Sequence, residues 1–128
     1  MKDFKIDVKA DCGNAPKKKF LRDFIIAFFR ADVDFILNSV SDDIVWDIFG
    51  NKRIEGKSAF TAALNEMSAF ETGGLTIHHI ITHGREAAVN GEFIMAGNKR
   101  YAFCDVCEFT SAGSHIIKRL YSYIVLQK

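Results

Sequence analysis

Only one proline and three cysteines occur among the 128 residues, and no apolar run approaches the roughly 20 residues that cross a bilayer. Too few cysteines are present for a disulfide scaffold, so the fold must rest on packing. There is no Gly-rich phosphate loop or dinucleotide fingerprint, which argues against phosphoryl and hydride transfer. Charge of one sign is also lacking, because 17 basic residues meet 16 acidic ones. A nucleic-acid partner is not expected, since a basic face that neutralises several phosphates is missing. The N-terminal MKDFKIDVKAD alternates charge with apolar residues and carries no apolar signal block. A cytoplasmic protein with no membrane partner is the expectation.

Aromatic side chains are abundant instead, with 12 Phe. Phe20, Phe24 and Phe28 recur at i, i+4 and i+8, which predicts a first helix with a wide aromatic stripe. Pro16 suits its first turn and Asn14 its cap. Asp32 reads as the cap of a second helix through Val33, Ile36, Leu37 and Val40. The β-branched and aromatic Ile44-Val45-Trp46-Asp47-Ile48-Phe49 predicts a strand that ends at the turn Gly50-Asn51. A third helix follows Gly56, with Phe60, Ala63, Leu64 and Met67 on one face. The rest predicts four strands, near Leu75–His83, Ala87–Met95, Arg100–Phe109 and His115–Leu126, whose short connections make an antiparallel meander. The fold class is therefore α+β, with three N-terminal helices packed on a strongly curved antiparallel sheet that encloses a pocket. Residues 16–128 form one domain, and the Phe4, Ile6, Val8 alternation within residues 1–15 is either an edge strand or an arm.

The element order resembles the cone-shaped fold of nuclear transport factor 2, ketosteroid isomerase, limonene epoxide hydrolase and the SnoaL-like polyketide cyclases. Three stretches carry the resemblance: Ala31-Asp32-Val33, Asp42 through Gly50, and Ile54-Glu55-Gly56-Lys57-Ser58-Ala59-Phe60. Ketosteroid isomerases combine an aspartate base with an oxyanion hole made by a tyrosine and a protonated aspartate. The resemblance implies Asp47 as base, with Ile48 there in a gapless alignment. It implies Asp105 as the protonated aspartate, and it sets Phe24 where the tyrosine would stand. It also implies a homodimer built on the convex sheet face, and no cofactor.

Strand alternation supplies an independent reading. Tyr101, Phe103, Asp105, Cys107 and Phe109 share one face, so burial of that face raises the Asp105 pKa toward that of a general acid. Otherwise Asp105 is a buried carboxyl hydrogen-bonded for structure. Asp47, beside Val45 and Phe49 on its strand face, is either a base or a rim residue paired with Lys52 or Arg53. His79 is a third acid–base candidate, sharing a face with Ile77, Ile81 and His83, with a structural histidine as the blander reading. No metal is expected, because His78 and His79 point to opposite faces and His79 and His83 lie about 13 Å apart along a strand. Cys104 and Cys107 likewise point apart. Lys17-Lys18-Lys19 reads as a solvated helix start open to a weak anionic contact. Arg119 and Tyr121 face either the pocket or a dimer surface. The expected pocket is lined by Phe24, Phe28, Trp46, Phe49, Tyr101, Phe103, Cys107 and Tyr121. It would take a small hydrophobic, carbonyl-bearing molecule, for binding alone or for isomerase, cyclase or dehydratase chemistry.

Overall fold

The computed structural model describes residues 4–128. The first helix, α1 (Pro16–Arg30), begins at Pro16 as the sequence predicts, but its cap is Ala15 without a side-chain bond, so Asn14 plays no capping role. It ends at Ala31, whose left-handed φ of 59° turns the chain directly into α2 (Val33–Leu37). The Asp32 carboxylate accepts from the Phe35 amide and caps that helix. Val40 belongs not to α2 but to β2 (Val40–Ile48), because the helix stops at Asn38. After the Gly50-Asn51 turn a strand that the periodicity did not predict, β3 (Lys52–Glu55), pairs back on β2. Then α3 (Lys57–Met67) starts from Gly56, whose φ of 86° suits glycine. The three helices are thus not one N-terminal block, since β2 and β3 separate the second from the third.

Four long strands follow: β4 (Thr72–His83), β5 (Glu86–Met95), β6 (Lys99–Phe109) and β7 (Ile117–Leu126). They form the expected antiparallel meander. The sheet as a whole is mixed, because β1 (Lys5–Val8) adds to the edge parallel to β4, and β2 lies parallel to β7. The order is β1-β4-β5-β6-β7-β2-β3, an open sheet with two edges.

Its curvature comes from bulges, where one strand spends an extra residue against its partner and bends. His78 is the extra residue between β4 and β5, Gly73 another, and Lys118 is extra between β6 and β7. Each bulge also reverses the in–out parity of the residues after it. Leu75 and Ile77 are buried, and so is Ile80, while Ile81 is exposed. In β7 the buried residues are Ile117, then Leu120 and Ser122, which combine members of both faces that strict alternation would give. Arg119 and Tyr121 therefore face away from the core. Gly91 lies opposite Ile77 beside the first bulge, and a Cβ there would come within 2.0 Å of the Thr76 carbonyl oxygen, so only glycine fits so close an approach.

The helices cover the concave face. Leu21, Phe24 and Ile25 of α1 and Phe60 of α3 are buried against Ile77, Val89, Cys107, Phe109, Ile117 and Leu120 of the sheet. Lys17 is not merely solvated. Its ammonium donates to the Gly84 and Ala112 carbonyls at 3.2 and 2.6 Å and lies 4.3 Å from the Phe109 ring centroid, so it ties α1 to two strand connections.

Candidate functional site

Packing is tight beneath the start of α1 and opens beneath its end. A cavity of about 220 Å³ lies there, lined by Phe28, Phe29 and Ala31 of α1 and its cap, Trp46 of β2, Phe93 of β5, and Phe103 and Asp105 of β6. Ser122 and Ile124 of β7 close another wall, and Met67, Phe70, Thr72 and Met95 lie on the side where α3 runs into β4. Aromatic pairs fix these walls: Phe28 meets Trp46 edge-on at 5.4 Å, and Phe29 meets Phe93 at 4.9 Å.

Among the described residues, Asp105 is the only ionisable one lining this cavity. Its odd-numbered face is the concave one, since Phe103, Cys107 and Phe109 on the same face are buried. The side chain keeps some accessible surface and lines the cavity. Desolvation pushes its pKa up to about 6, partly offset by a hydrogen bond from Ser122. Ser122 lies directly across the β6–β7 ladder from Asp105 and is buried. Its Oγ accepts from the Trp46 indole Nε1–H at 2.9 Å. A polar chain from Trp46 through Ser122 to Asp105 thus ends in an otherwise apolar chamber. Burial also raises the Cys107 thiol well above its ordinary value, leaving it a neutral core group.

The other sequence candidates are elsewhere. Asp47 lies on the opposite face of β2 from Trp46, outside the cavity, with its carboxylate 3.7 Å from the Arg53 guanidinium. It occupies the rim arrangement, so the expected base is not in the pocket. Ile48, the gapless alternative, is a buried core residue. His79 is exposed and bonded to Asn90 at 2.9 Å, because the bulge at His78 turns it outward; it does not share a face with Ile77. The same bulge puts His78, bonded to Glu92 at 3.2 Å, on the outer side as well, so the two histidines do not point to opposite faces. Among the described residues no group of three potential metal ligands forms. Cys104 and Cys107 do diverge, one half-buried on the outer face and one fully buried inside.

Of the expected lining residues, Phe28, Trp46 and Phe103 reach the cavity. Phe24 and Cys107 are fully buried in the solid core instead. Phe49 is half exposed and stacks on Tyr123 at 4.6 Å, outside the cavity. Tyr121 donates to Glu108 at 2.9 Å on the outer face, and Tyr101 stacks on Phe93 at 5.1 Å, behind the lining. Ser122 is the residue that sequence reasoning missed. Only the position of the Lys118 bulge decides its face, and the residues around it mix polar and apolar on both parities.

Comparison with known proteins agrees with this architecture. The sequence profile of the SnoaL-like domain matches residues 21–117, and the chain belongs to that family. No curated protein sequence matches it. Among solved structures it resembles an NTF2-like protein from Cytophaga hutchinsonii at 22% identity and TM-score 0.64, covering 85% of this chain and 99% of that one. A candidate ketosteroid isomerase from Kribbella flavida is similar at 14% identity and TM-score 0.73, covering 88% and 79%. An LEH-like epoxide hydrolase from M. tuberculosis is similar at 20% identity and TM-score 0.70, covering 85% and 82%. At these identities the likeness shows the fold, an α+β NTF2-like architecture with three helices on a curved, unclosed sheet.

Proposed function

We propose that the cavity binds a small, largely apolar molecule with a carbonyl group, and that Asp105 acts on that carbonyl as a hydrogen-bond donor and general acid. The observation that supports this reading is a lone carboxyl, its pKa pushed up to about 6, in a chamber walled mostly by apolar side chains, with the hydroxyls of Thr72 and Ser122. Size narrows the ligand. A cavity of ~150 Å³ holds benzene, and drug-sized ligands take pockets of ~300 Å³ or more. At about 220 Å³ the chamber suits one substituted ring or two small fused rings, and a four-ring steroid would protrude.

With Asp47 outside, no second carboxyl among the described residues lines the cavity to serve as a base. Neutral Asp105 donates to the carbonyl oxygen, water removes a proton from the adjacent carbon, and the enol forms; the reverse steps return both protons. That is the first half of an isomerisation, and it needs no redox partner. The single acid–base group equally favours a second reading, a pocket that binds without turnover and requires shape alone.

Proton exchange separates the two. Cyclohexanone in deuterated buffer near pH 5 should exchange its α-hydrogens faster with the protein than with buffer, and Asp105→Asn should remove the excess. Exchange at the buffer rate, with the ketone bound, leaves only the binding reading. Cyclohexanone that fails to perturb the fluorescence of Trp46, the sole tryptophan, would refute both.

A further inference from the structure

We propose that Ser122 and Trp46 are positioning residues that fix which oxygen of Asp105 carries its proton, presenting that proton to the cavity and making the pocket selective for a hydrogen-bond acceptor, a neutral ketone or aldehyde. This deepens the reading above and rests on it for the ligand, but not for the proton's location.

The direction of the chain follows from what each group is able to do. An indole N–H donates and never accepts. At 2.9 Å it takes a lone pair of the Ser122 oxygen, so the one hydroxyl hydrogen of Ser122 points elsewhere. Its cross-strand neighbour is Asp105, which it stabilises in the ionised form. The indole is not free to turn away, since Phe28 and Phe60 pack edge-on against it at 5.4 and 5.5 Å. One carboxyl oxygen is therefore already an acceptor. A proton on Asp105 resides on the other oxygen, in a cavity whose lining includes Ile25, Phe28, Phe29 and Phe103, none of which accepts it. An unpaired buried O–H costs free energy until an acceptor arrives. A carbonyl oxygen supplies one.

Among the described residues no fixed charge lines the cavity to compete for this proton. The titratable groups coupled to Asp105 are the thiols of Cys104 and Cys107 on its own strand, both raised and neutral. The elements facing it offer Val89 from β5, Ser122 from β7, Trp46 from β2, and Ile25, Phe28 and Phe29 from α1, all uncharged.

Two consequences can be measured. A ligand that needs the neutral carboxyl takes up a proton on binding wherever free Asp105 is ionised, so its affinity falls about tenfold per pH unit above the Asp105 pKa. Loss of the Ser122 hydroxyl removes the group that favours the carboxylate, so that pKa rises.

The test is a carbon-detected NMR titration of the Asp105 carboxyl in the ligand-free protein, in wild type, Ser122→Ala, Ser122→Thr and Trp46→Phe. We expect the midpoint to move up by about half a unit or more in Ser122→Ala, to stay near wild type in Ser122→Thr, and to move up in Trp46→Phe, where the freed Ser122 oxygen is able to accept from the neutral acid. An unchanged or lowered midpoint in Ser122→Ala overturns the proposal. If that variant does not fold, an unchanged midpoint in Trp46→Phe overturns it. Cyclohexanone titrations of the wild type then read the ligand separately. A flat pH profile overturns the acceptor selectivity, whereas no binding at any pH overturns the functional reading while the midpoints still decide the positioning.

Discussion

The two ends of α1 cover the same sheet in different ways. At its start Phe20 packs ring against ring with Phe24, Phe35 and Phe109 at 5.9 to 6.2 Å, and Phe24 and Phe109 are fully buried. At its end Phe28 and Phe29, one turn further on, stand over a chamber that no side chain fills. The composition of the two ends is nearly the same, so aromatic content does not decide between core and pocket. The bulges at Gly73, His78 and Lys118 bend the sheet and set which strand side chains face the helices along its length. The closed end supplies stability, and the open end is free to carry a ligand and a costly carboxyl.

The largest expected effect comes from deleting the same ring at each end. Phe24→Ala empties a fully buried site and should cost about 3–5 kcal/mol in denaturant unfolding. Phe28→Ala removes a ring whose inner side already faces space, so fewer dispersion contacts are lost and the cost should fall below ~3 kcal/mol. It should also admit larger ketones. Equal losses at the two positions would break the distinction between a solid and a hollow end.

A smaller effect isolates the carboxyl. Free aspartate titrates near ~3.9, and folding raises Asp105 to about 6, so the folded state binds more protons between those values. Stability contributed by Asp105 is then highest below pH ~4 and is lost as pH rises through about 6, by on the order of 2–3 kcal/mol. Asp105→Asn, which has no charge to desolvate, should melt higher than wild type near pH ~8, and the gain should shrink or vanish near pH ~4. A gain of the same size at both pH values would mean that ionisation is not the cause.

Why some of this was legible in the sequence and some was not has a physical explanation. Helical rows such as Phe20, Phe24 and Phe28 need only a period, and Asp32 needs only a short-range bond to the Phe35 amide; both were readable. Asp105 was readable because β6 keeps strict alternation from Phe103 to Phe109. His79 and Ser122 were not, because an extra residue in each strand reverses the parity and nothing local in Ile77-His78-His79 or Lys118-Arg119 announces it. Strand β3 escaped because four residues after a turn, with only Ile54 buried, carry almost no pattern. The same limit applies to Asp47, whose same-face neighbours Val45 and Phe49 lie on the outer face of the sheet.

Asp47 gives the smallest expected effect and the sharpest contrast with Asp105. Both are carboxyls on strands among apolar residues, yet one faces the cavity and the other faces outward beside Arg53, whose side chain is half exposed and is shared with Glu55 at 3.2 Å. A pair at 3.7 Å, with one partner in solvent and a competing carboxylate, gains little Coulomb energy and is screened by salt. Asp47→Asn should therefore lower stability by less than ~1 kcal/mol, with the difference shrinking further in high salt. It should leave ketone affinity and α-hydrogen exchange unchanged, because no atom of Asp47 lines the chamber. Loss of exchange in Asp47→Asn with the fold intact would return this residue to the base role and would mean that the chemistry reaches through or around the sheet, not into the cavity beneath α1.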